Sequence, residues 1–191
     1  MTKYILAGGY VHKAADGGKA FCEELVKGIK RNPIKILDCV FARTRDCWEE
    51  TLESDNFLLS KFIKNFQLDL ALPEKFLEQI KESDVIFLKG GETEMLIEAL
   101  KKDLGWQKEL TGKVLAGTSA GAEMMAEYYC DFIKPKAVKG FGLLPIKFVS
   151  HWQSSDYQDI DWDKALKKLK DHGEDLEIIK LKEGEFKVIE K

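Results

Sequence analysis

Residues 114–125 read VLAGTSAGAEMM. An apolar run ends in Gly117-Thr118-Ser119-Ala120-Gly121 and passes at once into good helix formers. A strand that turns into a helix around a single residue would make side chains two positions to either side collide. Glycine is therefore needed at both places, and glycine stands at both. Ser119 falls at the apex, at the N-terminus of the following helix, with the Ala120 N–H pointing into the same pocket. The plain reading is a tight strand-to-helix turn that contains a serine. The sharper one is a nucleophile on a strained elbow, which predicts φ > 0 at Ser119.

Working outward, KYILAG (3–8), IKILDCVF (34–41), DVIFLKG (84–90) and KVLAGTS (113–119) are short, nearly continuous apolar runs. Such runs fit strands buried on both faces of a sheet. Helical periodicity fills 17–30, 46–65, 73–82 and 93–102, with Pro33 and Pro73 at element boundaries. Strands alternating with helices imply parallel pairing, hence an α/β sandwich of three layers around a mostly parallel central sheet. Beyond residue 135 the pieces shorten. FGLLPIKFVSHW reads as strand ending at His151, DKALKKLKDHG as a helix closed by Gly173, and LEIIKLKEGEFKVIEK as a glycine-turned hairpin. With no repeat or linker, residues 1–191 read as one domain.

Composition narrows the function. The net charge of −3 gives no electrostatic footprint for nucleic acid or an anionic membrane. The start MTKYILAGGY lacks the layout of a signal peptide, and no run approaches a membrane span. Cys22, Cys39, Cys47 and Cys130 form no C-x-x-C pair. Reduced thiols in a cytoplasm are expected, with neither metal nor cofactor.

LAGGYVHKAADGG after the first strand spells no phosphate-binding fingerprint, so its glycines read as loop punctuation. In LKGGETEML, Gly90-Gly91 ends a strand where an open parallel sheet binds ligands. The Gly91 and Ala120 N–H groups would together make an oxyanion hole. A serine nucleophile needs a base. Of His12, His151 and His172, His151 is the best placed, at a strand's carboxyl end.

These residues resemble the serine peptidases of the dipeptidase E and cyanophycinase group, whose fold is like that of the class I glutamine amidotransferases. The resemblance rests on FLKGGETEML, VLAGTSAGAEMM, YYCDFIK and GFGLLPIKFVSHW, and covers 84–152 well and the N-terminal part loosely. It implies Ser119 as nucleophile, His151 as base, Gly91 and Ala120 as oxyanion donors, and Asp131 as the acid that orients the imidazole. Glu123 is a rival acid on the elbow helix; the H-x-E place used by the amidotransferases holds Gln153. The aspartyl dipeptidases bind an acidic P1 side chain with an arginine downstream of the histidine. Here Arg31, Arg43 and Arg45 all precede it, so acidic specificity has no support unless a lysine stands in as a less directional point charge. The expected activity is hydrolysis of small peptides by a monomer or homodimer. The alternatives are an esterase, or a sensor or small-ligand binder on the same fold.

Overall fold

The computed structural model describes residues 1–102 and 105–191. The chain runs β1 (Lys3–Ala7), α1 (Lys19–Val26), β2 (Ile34–Cys39), α2 (Trp48–Ser60), β3 (Phe66–Leu70), α3 (Phe76–Glu82), β4 (Val85–Leu88) and α4 (Thr93–Leu100). It continues through β5 (Val114–Thr118), α5 (Ala120–Glu123), β6 (Ala126–Asp131), β7 (Lys136–Lys139), β8 (Leu144–Val149), α6 (Trp162–Lys170), β9 (Glu177–Lys180) and β10 (Phe186–Glu190).

Six strands form the main sheet in the order β10-β1-β5-β4-β2-β3. All its pairings are parallel except β10 on β1. The period-two alternation of side chains sorts each strand between two cores. Ile5, Ala7, Val85, Phe87, Val114 and Ala116 pack with Phe21 and Leu25 of α1 and Leu59 of α2. Tyr4, Leu6, Ile86, Leu88 and Leu115 pack on the opposite face with Phe76 and Ile80 of α3 and Leu96 and Leu100 of α4. Both faces are thus apolar and covered, which is why these strands carry almost no polar residue. The layers agree with the α/β reading. Four strands predicted from apolar runs are β1, β2, β4 and β5, and their carboxyl ends line up on one edge.

Three features differ from the sequence reading. β3 is not among the predicted strands; FQLDL is a half-buried edge segment with a short pattern. The shorter pieces after the elbow form a second sheet, β7-β6-β8-β9, rather than additions to the first. Its β6 and β8 contribute Tyr129, Ile146 and Phe148 to the core shared with α3 and α4, while Cys130 and Val149 face Ala165 and Leu169 of α6. The C-terminal hairpin does not exist. β9 pairs parallel to β8, and β10 pairs antiparallel to β1 in the other sheet. Burial of their apolar faces in two separate cores outweighs the local turn signal. The connection 181–185 therefore bridges the two sheets.

Candidate active site

The elbow closes as its sequence requires. Ser119 has φ 48° and ψ −112°. Its N–H donates to the Ala7 carbonyl at 3.0 Å, and its carbonyl accepts from the Ala122 and Glu123 N–H groups. A Cβ on Gly117 would stand 2.3 Å from the Gly121 carbonyl carbon, and one on Gly121 would stand 2.2 Å from the Leu88 carbonyl oxygen. The first glycine makes room for the turn itself, the second for the neighbouring strand β4. The run of helix formers yields only one turn, α5, because β6 is drawn into pairing with β7 and β8.

His151 follows β8 with φ 49°, its N–H donating to the Gly8 carbonyl at 2.8 Å. Its Nε2 lies 3.1 Å from Ser119 Oγ, and its Nδ1 lies 3.1 Å from Glu183 Oε1. Tyr10, Phe132 and Tyr157 pack edge-on against the imidazole and leave it little rotational freedom. A Cβ on Gly9 would come within 2.2 Å of His151 Cε1, and one on Gly8 within 2.2 Å of the Lys182 carbonyl oxygen. The glycines read as punctuation are spacers: one admits the imidazole, the other the segment that carries Glu183.

Glu183 Oε1 also accepts from Ser154 Oγ at 2.7 Å, and Oε2 pairs with Lys13 Nζ at 2.6 Å. Burial pushes this carboxyl up, but the hydrogen bonds from Lys13, Ser154 and His151 together hold it below the usual carboxylate range. Burial lowers the His151 imidazole below its ordinary value, against the opposing pull of Glu183. At neutral pH the ring is therefore neutral and the carboxylate charged, the combination a general base and its orienting acid require.

Asp131, the expected acid, makes no hydrogen bond to His151. Its Oδ1 accepts from the Lys134 N–H at 3.0 Å, and Oδ2 lies 3.7 Å from Lys136 Nζ. The carboxylate is spent on the β6–β7 turn, so Glu183 replaces it as the imidazole's partner. Glu123 is buried beneath the elbow, accepting from Thr93 Oγ1 at 2.5 Å and from Ser150 Oγ. Desolvation raises it above the usual carboxylate range. The sequence reading did not weigh Glu183. Its available signal was Gly184 directly after an acid: φ there is 76°, and a Cβ would meet the Ala14 nitrogen at 2.6 Å.

Gly91 completes the arrangement. Its φ is 153°, and a Cβ there would overlap the Ala42 carbonyl oxygen at 2.2 Å. Among the described residues its N–H has no acceptor, and the Ala120 N–H occupies the first position of α5, where helical geometry supplies none. Ser119, His151, Gly91, Glu92, Tyr157 and Arg43 share one cleft of about 800 Å³.

A family model, Peptidase family S51, matches residues 51–191. No curated protein matches the sequence. Among solved structures, a peptidase from an acI-B1 Actinobacterium superposes with a TM-score of 0.73 at 19% identity, covering 99% of this chain and 83% of that one. A protein named as a candidate peptidase E from Listeria monocytogenes EGD-e gives 0.73 at 14% identity, covering 99% and 97%. At such identities the likeness concerns the fold. Among the described residues no helix is long and apolar enough to cross a membrane.

Proposed function

We propose, for a chain that belongs to peptidase family S51 and is thereby a serine-type peptidase, that Ser119, His151 and Glu183 cleave the amide bonds of short peptides. The observation that carries this reading is the unbroken chain from Ser119 Oγ to His151 Nε2 and from His151 Nδ1 to Glu183 Oε1, each link 3.1 Å.

In the proposed reaction His151 Nε2 takes the Ser119 proton as Oγ attacks the substrate carbonyl carbon. The carbonyl oxygen becomes an anion between the Gly91 and Ala120 N–H groups. Each such donor, fixed before the reaction, is worth roughly 3–4 kcal/mol in the transition state. Glu183 stays ionised and stabilises the imidazolium across Nδ1. The imidazolium then gives its proton to the leaving amine, which departs. Water, deprotonated by the same nitrogen, attacks the acyl-serine; the acyl–Oγ bond breaks, the acid leaves, and Nε2 returns its proton to Ser119 Oγ.

The cleft supports short substrates. A volume of about 800 Å³ accommodates a few residues and offers no long track for an extended chain. A dipeptide and tripeptide library, run beside a fluorophosphonate probe, tests the reading. Hydrolysis and single-site labelling are expected in the wild type, and both should vanish in Ser119→Ala. A folded protein that is neither labelled nor hydrolytic would favour the small-ligand binder instead.

A further inference from the structure

Beside the Gly90–Gly91 turn stands a second group of charges that the proposed reaction does not use, of which Asp55 and Lys89 line the same cleft as Ser119. Asp38, near the end of β2, is fully buried, and among the described residues neither of its carboxyl oxygens has a hydrogen-bond partner. Asp55, on α2, pairs one oxygen with Lys89 Nζ at 2.6 Å, and its Oδ2 is buried with no partner among the described residues. Lys89 immediately precedes Gly90, and its ammonium otherwise lies over the Phe87 ring at 4.4 Å. Asp38 feels the charges of both Asp55 and Lys89, and two ionised carboxylates with one ammonium, all nearly buried, would carry an uncompensated negative charge that burial disfavours. A single proton removes it, turning one orphan acceptor into a donor and giving the other something to accept.

We propose that Asp38 stands in the folded protein as a neutral carboxylic acid hydrogen-bonded to Asp55, and that the resulting Asp38–Asp55–Lys89 chain positions the Gly90–Gly91 turn against Ser119. Burial, and next the charge of Asp55, push the Asp38 carboxyl well above the usual range, while Lys89 and, more weakly, Arg43 pull the other way. The remaining titratable neighbours are the thiols: Cys39 adjoins Asp38 on β2, and Cys22 on α1 feels both Asp55 and Lys89.

The tethers explain how such a chain reaches the reacting atoms. Thr51 and Asp55 are four residues apart on α2 and share its buried face. Asp55 holds Lys89. Thr51 Oγ1 accepts from Arg43 Nη1 at 3.0 Å, while Arg43 Nε donates to the Gly90 carbonyl at 2.9 Å. The Gly90 N–H in turn donates to Thr118 Oγ1 at 3.1 Å, one residue before Ser119. Helix α2 therefore grips the turn at Lys89 and at Gly90, and the Gly91 N–H is aimed as a consequence. Asp38 is a positioning residue, and its role rests on the proposed hydrolysis with Gly91 as an oxyanion donor.

Asp38→Asn and Asp38→Leu, measured beside the wild type, test this. Asparagine copies the neutral acid and keeps a donor toward Asp55, so kcat is expected within about twofold of wild type. Leucine leaves Asp55 without that donor and should lower kcat by about tenfold or more, with KM little changed, because an oxyanion donor acts on the transition state. A raised folded-state pKa gives stability that is complete below the unfolded value and lost as pH rises toward the folded one. Asparagine lacks that dependence, so its gain in Tm over wild type should grow with pH. Isotope-edited infrared spectra should show a carboxylic-acid C=O band at pH 7 that Asp38→Asn removes. An inactive or less stable Asp38→Asn, or the absence of that band, would overturn the proposal, and neither result depends on whether Asp38→Leu folds. A wild type without hydrolysis overturns the functional reading and the positioning role with it, while the infrared band judges the proton separately.

Discussion

Glu183 Oε1 meets His151 Nδ1 at 3.1 Å across 32 positions of sequence, and both residues lie outside regular structure, one after β8 and one between β9 and β10. The contact exists because β9 stays with β8 in the second sheet while β10 crosses to β1 in the first. Glu183→Gln keeps the shape but loses the charge that orients the ring and stabilises its cation. Hydrolysis should fall by about 10²–10⁴ in kcat, the upper figure being the loss seen when the orienting aspartate of a serine protease becomes asparagine. Asp131→Asn should stay near wild type. Steady-state rates on one dipeptide decide between the two.

The acid limb of kcat/KM should fall below the ordinary imidazole range, because burial depresses His151 and only its neutral form accepts the serine proton. Lys13 also lowers His151. Lys13→Met should therefore move that limb upward, toward the ordinary value. A pH–rate profile of the two proteins, in which the variant's limb moves down or stays, would contradict this role of the Lys13 charge.

Gly9→Ala places a methyl group where His151 Cε1 stands 2.2 Å away, at a backbone φ of 122°. The imidazole must shift, and the Ser119 hydrogen bond with it. Fluorophosphonate labelling should fall steeply while far-ultraviolet circular dichroism keeps the folded spectrum. Labelling at the wild-type rate would mean that the glycine serves the loop alone.

Glu123→Ala tests the other acid weighed from the sequence. Its loss leaves the Thr93 and Ser150 hydroxyls without their acceptor, costing on the order of 1–3 kcal/mol for each buried group left unpaired. Denaturant unfolding should show the loss. The kinetic signature differs from that of Glu183→Gln: the pH profile of the remaining activity should keep its shape, since Glu123 makes no contact with the imidazole.

What could be read from the sequence was local. The elbow is announced by Gly117, Ser119 and Gly121: the turn itself requires Gly117, the Leu88 carbonyl of β4 requires Gly121, and Ser119 takes a positive φ between them. The buried strands announce themselves because a strand covered on both faces is apolar along most of its length, as β1, β2, β4 and β5 are, with Asp38 of β2 the fully buried exception. His151 could be picked out because the chain has only three histidines and one stands at a strand's end. The acid could not. Asp131 lies at a plausible distance along the chain, but its carboxylate is taken up by the turn it begins. Glu183 sits in KEGE, a stretch whose local chemistry says hairpin. Its partner is decided by which sheet each flanking strand joins, a choice made by long-range burial in two cores rather than by the turn. Local sterics write the Ser119 elbow into the sequence; only tertiary packing brings the Glu183 carboxylate to His151.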